Sequence, residues 1–355
     1  MDNRIKIGIA AAIVIGVIAT SMPTLGISLG GNNGNSTGSE SKVLRIGYFP
    51  NINHAQAVIG LGNGDFQKVL GDDIKVKPQL FNAGPSAIEA LFADQIDVTY
   101  IGPNPAINGY AVSNGEGLRI ISGAASGGAV FVVRNDAGIN SVHDFANKKF
   151  ASPQLGNTQD VALRKYLLDN GYKTKEKGGN VEVLPVKNAD ILTLMIKKDI
   201  DGAWVPEPWG AKLVKEANGR IFLDERELWP EGAFVTAHII ARPDYLENNP
   251  RIISKLLEAH IDETNWINEN PDEAIQVFNV ELKRLTGNTI PQDEFEEGFS
   301  RMTLTWDPVK ESLFQSASDA FDIGYLGEER PDLSEIYDLR ILDEVLGEKG
   351  LPEIQ

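Results

Sequence analysis

Asn82–Ile101 reads NAGPSAIEALFADQIDVTYI, and Asn188–Val205 reads NADILTLMIKKDIDGAWV. Each opens with Asn-Ala, carries an apolar stripe at helical spacing and reaches an Ile-Asp step before a short apolar run of strand type. Each run closes in a Pro-x-Pro turn, Pro103-Asn104-Pro105 and Pro206-Glu207-Pro208. Any two βαβ units look broadly alike. The shared Asn-Ala, Ile-Asp and Pro-x-Pro signals favour more than that: one α/β plan written twice.

The flanking sequence extends both copies. Before the first lie a strand at Val43–Phe49 ending in Pro50, a helical pattern over His54–Leu70, and an alternating strand at Ile74–Phe81 that Pro78 marks as an edge. Before the second lie a strand at Lys149–Ser152, the loop Pro153–Thr158, a helix over Gln159–Asp169 and a strand at Val181–Pro185. Leu118–Ile121, Val130–Val133 and Phe234–Ala241 supply further strands, the last leading back to the first half. From Pro250 the pattern is mostly helical, with amphipathic stretches at Ile252–Asn268 and Asp272–Thr286. Strands alternating with helices predict an α/β fold with largely parallel sheets and a helical C-terminal tail.

Composition narrows the function. A chain of 355 residues, 42% hydrophobic and 23% charged, has the size of two medium domains and the make-up of a globular protein. Cysteine is absent, which excludes disulfides, thiolate metal sites and cysteine-linked lipid anchors. Thirty-three basic against fifty acidic residues give a net charge of −17, which argues against a nucleic-acid partner. A small anion is still compatible, because local dipoles can hold one.

The N-terminal residues stand apart. Arg4 and Lys6 precede the apolar stretch Ile7–Ala19, and Ala19-Thr20-Ser21 offers small residues for cleavage before Met22. Residues 1–29 read equally as a signal peptide or as an uncleaved membrane anchor. Residues 30–42, rich in Gly, Asn and Ser, form a flexible linker, and a tether of that kind favours the anchor. Either way the body is exported.

Ligands of open parallel sheets bind beyond the carboxyl ends of the strands. Two such sheets facing each other would bring together Tyr48–His54, Asn82–Ser86, Gly102–Asn108, Ser152–Asp160 and Trp204–Trp209, with Gly123–Ala129 nearby. None of these segments contains Lys or Arg. Gly84-Pro85-Ser86 and Gly156-Asn157-Thr158 enter helices, with Ser86 expected as a cap. Any one such entry is an ordinary helix start. Two of them facing across a cleft would hold a compact oxyanion on unpaired N–H groups.

Leu44–Pro50 (LRIGYFP), Asn82–Gly102, Ser126–Arg134 (SGGAVFVVR) and Asp201–Gly210 (DGAWVPEPWG) together resemble the periplasmic solute-binding proteins of ABC importers. The similarity is to the group for nitrate, sulfonates, taurine and bicarbonate, which is related to the thiamine-pyrimidine binders. It implies a two-lobe type II periplasmic-binding-protein (Venus-flytrap) fold, with residues 43–132 plus 237–355 as lobe 1 and 133–236 as lobe 2. It also implies a small anionic or zwitterionic ligand, an ABC permease with its ATPase as partners, a monomer, and no cofactor or metal. Carried over position by position, the ligand site comprises Phe49, Asn51, His54, Gly84, Ser86, Asn104, Ser126, Gly127, Gln154, Asn157, Thr158, Glu207 and Trp209. Hinges are expected near Arg134–Asn135 and Phe234–Val235. Asp94 and Asp199 stand where relatives often place the glycine of a left-handed turn.

Glu207 is the discordant member. A carboxylate about 4 Å from a bare anion costs roughly 4 kcal/mol at an effective dielectric of about 20. It pairs with a base such as Arg164, points away, or meets a ligand amine. Enzymatic readings have less behind them. His54, His143, His238 and His260 lack metal-like spacing, and no nucleophile elbow, Walker loop or dinucleotide fingerprint occurs. A pyrimidine-forming enzyme on the same fold and a sensor-coupled binding module are the remaining alternatives.

Overall fold

The computed structural model describes residues 42–354; the Ile7–Ala19 stretch and the linker lie outside the described residues, apart from Lys42. Eleven strands follow in chain order among them. They are β1 (Lys42–Tyr48), β2 (Ile74–Leu80), β3 (Val98–Ile101), β4 (Arg119–Gly127), β5 (Ala129–Arg134), β6 (Lys149–Pro153), β7 (Glu182–Val186), β8 (Gly202–Pro206), β9 (Gly219–Asp224), β10 (Val235–Ala241) and β11 (Met302–Leu304). They form a six-stranded sheet, β11-β4-β10-β3-β1-β2, and a five-stranded sheet, β7-β6-β8-β5-β9.

The two orders match. In the larger sheet β2, β1 and β3 run parallel, and β10 pairs antiparallel with β3 and β4. In the smaller, β7, β6 and β8 run parallel, and β5 pairs antiparallel with β8 and β9. Both strands of antiparallel sense are exchanged across the midline: β5 precedes the rest of its sheet in the chain, and β10 follows all the other strands of its sheet except β11.

Apolar alternation explains the layering. Phe131 and Val133 of β5 pack into one core and Val130 and Val132 into another, so this strand is covered on both faces. Phe131 stacks on Trp204, both fully buried, and each such side chain contributes about 1.5–3 kcal/mol by leaving water. In the larger sheet β1 turns Leu44, Ile46 and Tyr48 towards a core completed by Ile253, Leu257 and Phe278 of the C-terminal helices. The tail therefore closes the larger sheet. Among the described residues no helix is long and apolar enough to cross a membrane.

Some expectations need correction. The boundary expected at 132/133 falls inside β5, which pairs wholly in the smaller sheet. The chain passes between sheets at Gly127-Gly128, both left-handed with φ of 76° and 77°, ahead of β5 and not after it at Arg134–Asn135. An apolar run carries no label for the sheet it will join. The left-handed residues after the paired helices are Asp94 and Lys198, with Asp199 one step beyond. The helices Gly84–Phe92 and Asn188–Ile196 are equal in length and equally far ahead of Asp97 and Asp201. Gly84 is thus the counterpart of Asn188, and the two Asn-Ala pairs are out of step.

Candidate ligand-binding cleft

The carboxyl ends of β1, β2 and β3 meet those of β6, β7 and β8 around one cleft. It is lined from the larger sheet by Phe49, Asn51, Asn53, His54, Asn82, Ala83, Gly84, Gly102 and Thr236, and from the smaller by Pro153, Gln154, Asn157, Thr158, Gln159, Lys187, Asn188 and Pro206. About 40 Å³ of it can be reached by the centre of a water molecule. One water needs roughly 10–15 Å³ on that measure, so the space suits a guest of a few heavy atoms. A larger hollow, about 820 Å³, lies beside Tyr166, Trp229 and Asp319, but no parallel strand ends there.

Four helices begin at the cleft: Gly84–Phe92, Pro103–Val112, Thr158–Asp169 and Asn188–Ile196. Their N-cap residues Ala83, Gly102, Asn157 and Lys187 all line it, and in none does a side chain cap the helix. Uncapped first turns keep N–H donors available in the Gly84, Thr158 and Asn188 helices, whereas Pro103 and Pro105 leave the fourth only the Asn104 N–H, and four positive dipole ends converge on one small volume. Such an arrangement can hold an anion on backbone groups. Close approach is required: a Cβ on Gly102 would stand 2.5 Å from Thr158 Oγ1 across the cleft, and one on Gly84 2.2 Å from Pro105 Cγ.

The Thr158 helix start is fixed by the buried Asp160. Its carboxylate accepts from Ser152 Oγ at 2.6 Å, Gly156 N–H at 3.0 Å, Arg164 Nε at 3.0 Å and the Tyr325 hydroxyl at 2.8 Å. Tyr325 belongs to the C-terminal tail, so both halves hold this loop.

His54 is the exceptional histidine. His238 bonds Pro308 O at 3.0 Å, His260 bonds Tyr100 Oη at 2.9 Å and Gly123 O at 3.0 Å, and His143 is exposed. His54 lines the cleft and is 3% exposed; its Nδ1, like that of His238, has no hydrogen bond, and burial pulls its pKa down to about 3. At neutral pH it presents an uncharged imidazole.

The structure thus gathers Phe49, Asn51, His54, Gly84, Gln154, Asn157 and Thr158 of the expected residues. Six others do not line the cleft. Ser86 donates to Ala83 O at 2.9 Å and does not cap, because the helix already begins at Gly84. Asn104 is buried and donates to Ser316 O at 3.3 Å. Ser126 Oγ accepts from Phe234 N–H at 3.2 Å, and Gly127 supplies the left-handed crossing. Trp209 packs on the core of the smaller sheet, with Lys212 Nζ 5.5 Å from its ring centroid.

Glu207 pairs with Arg301, not Arg164. Its carboxylate receives Arg301 NH1 at 2.7 Å and Ala211 N–H at 3.0 Å, while Arg164 serves Asp160 and Glu176. It therefore occupies the start of its own helix, Trp209–Glu216. Burial pushes this carboxyl up, opposed by the Ala211 N–H and the Arg301 guanidinium. The expectation of a cleft without cations also fails: Lys187 stands at its edge, exposed and, among the described residues, in no salt bridge. Lys187, Asn188 and Thr236 were not anticipated. The strand-end rule, applied to β7 as to the others, points to the first two.

The fold and cleft define a class: α/β proteins of two like sheets that enclose a small polar site between strand ends. Within it, a sequence profile of the NMT1-like family matches residues 37–280, and the chain belongs to that family. It is 25% identical to the nitrate/nitrite binding protein NrtA of Nostoc sp. over 75% of this chain and 66% of that protein. It is 24% identical to the taurine-binding periplasmic protein of Escherichia coli over 58% of this chain and 62% of that one. The matches thus span about two thirds of the curated relatives' length. The crystal structure of the periplasmic aliphatic sulphonate binding protein SsuA from Escherichia coli is similar in fold, with a TM-score of 0.67 at 19% identity, covering 84% of this chain and 92% of that one. The curated relatives named here are binding proteins.

Proposed function

We propose that the chain is an extracytoplasmic solute-binding protein that captures a small oxyanion or amino-sulfonate in this cleft and delivers it to an ABC permease driven by its ATPase. The observation that carries the reading is the set of four uncapped helix starts, two from each sheet, around one small volume. The names of relatives that bind nitrate and taurine support the choice of ligand class. The sheet units act as two lobes that close over the guest, bending at Gly127-Gly128 and in the segment between β9 and β10. The protein acts as a monomer, held at the membrane by the segment around Ile7–Ala19; N-terminal sequencing of the mature chain separates a retained Met1 from a start near Met22.

Calorimetry with nitrate, hydrogencarbonate, taurine and ethanesulfonate tests the capture. Saturable binding of one or more is expected. Binding of none, together with turnover of a substrate by the same preparation, would replace this reading with an enzymatic one.

A further inference from the structure

The cleft offers more than donors. Asn53 is 5% exposed, and its Nδ2 donates to Thr236 O at 3.4 Å, which assigns the unpartnered atom of its amide as the acceptor Oδ1. Nδ1 of His54 and Oδ1 of Asn188 also lack partners. Nδ1 of the uncharged imidazole is an acceptor in the tautomer that carries its proton on Nε2. Across the cleft Asn157 and Thr158 stand as far beyond Lys149 of β6 as Asn53 and His54 stand beyond Arg45 of β1. The Thr158 hydroxyl, 6% exposed and unpartnered, can donate or accept. Asn53 and His54 thus give the larger-sheet wall unmet acceptors, Asn188 adds one opposite, and the helix starts carry unmet donors.

We propose that Asn53 and His54 make the cleft selective for a small anion that also bears an N–H or O–H donor, against anions that only accept. The inference rests on the anion-capture reading above and adds the chemistry of the guest's second face. Its anionic oxygens meet the helix starts, and its donor meets Asn53 Oδ1 and the free imidazole nitrogen. An acceptor-only guest leaves Asn53 Oδ1 buried without a partner, a loss it cannot make good elsewhere.

Two matched pairs separate the alternatives by calorimetry on the full chain: hydrogencarbonate against nitrate, and taurine against ethanesulfonate. Within each pair size is similar and the donor differs; taurine's ammonium also cancels its net charge, so hydrogencarbonate against nitrate isolates the donor. The donor-bearing member of at least one pair is expected to bind about tenfold tighter or better than its partner. In Asn53→Leu that advantage should shrink to about twofold or less, with the thermal midpoint confirming a folded variant. Should Asn53→Leu fail to fold, the wild-type ratios alone decide. Parity in every pair that binds, with nitrate and ethanesulfonate held as tightly as their donor-bearing partners, overturns this inference and leaves anion capture standing. Binding of none of the four overturns both.

Discussion

Asp97 and Asp201 perform one task in two places. Asp97 accepts the N–H of Arg45 at 2.8 Å, and Asp201 accepts that of Lys149 at 2.9 Å, each across a sequence separation of 52. Each returns its own N–H to the same strand residue, and each carbonyl receives an arginine N–H, from Arg242 and Arg134 respectively. A few residues later the copies diverge. The turn at Pro103 leads straight into a helix whose start faces the cleft, whereas at Pro206-Glu207-Pro208 the carboxylate fills the helix start and binds Arg301 of the other half. The scaffold is duplicated and its outlets are not. A helix dipole already satisfied by a covalently attached carboxylate is withdrawn from ligand binding and contributes to contact between halves instead.

Breaking the divergent turn should have the largest effect. Arg301→Ala leaves Glu207 buried without its cation and should cost about 3–5 kcal/mol in denaturant unfolding, against about 1 kcal/mol for Asn104→Ala, which loses one neutral hydrogen bond. Similar costs for the two would mean that the turns are equivalent after all. The shared aspartates sharpen the comparison by exposure. The Asp97 side chain is 1% exposed and that of Asp201 22%, so Asp97→Ala should cost about 3 kcal/mol and Asp201→Ala about 1 kcal/mol.

Among the buried glutamates, one in each half is pushed far above the usual carboxylate range. Burial raises Glu263, on the helix packed behind the larger sheet, to about 8, and Glu225, which receives Trp204 Nε1 at 2.6 Å, to about 7. Both ionise near 4.5 in the unfolded chain, so their stabilising contribution is complete below that pH and is lost as pH rises through 7 and then 8. Glu263→Gln should raise stability at pH 8.5 by roughly 1–2 kcal/mol relative to the parent and leave it unchanged near pH 4. Urea titrations at several pH values check this, and a stability loss from Glu263→Gln at high pH would reverse the sign.

Gly102→Ala would put a methyl group against Thr158 Oγ1 of the opposite half, opposing closure more than folding. Affinity for the bound anion should fall about tenfold, or about 1.4 kcal/mol, with little change in thermal midpoint. The smallest effect concerns the N-caps, where Lys187 in one half is the counterpart of Ala83 in the other. Lys187→Ala should weaken anion binding about threefold at low salt and hardly at all at about 0.5 M, because the ammonium is exposed and screened.

Much of the lining of the cleft could be read in the sequence, since Phe49, Asn51, His54, Gly84, Gln154, Asn157 and Thr158 all follow from strand ends leading into helix starts. Ser86 misled because a serine beside Gly-Pro reads as a cap, whereas Gly84 already starts the helix. Arg301 could not be found as the partner of Glu207, since nothing local links residues whose separation is 94. By itself the sequence determined the α/β alternation, the repeated plan and the backbone character of the site, because periodicity, turn residues and helix starts are encoded within a few residues of one another. Only the tertiary structure decided which sheet takes β5, which helix start is plugged by Glu207, and which acceptors are left without partners. Those outcomes depend on contacts between segments far apart in the chain, where the apolar and polar patterns of many segments are interchangeable until packing selects among them.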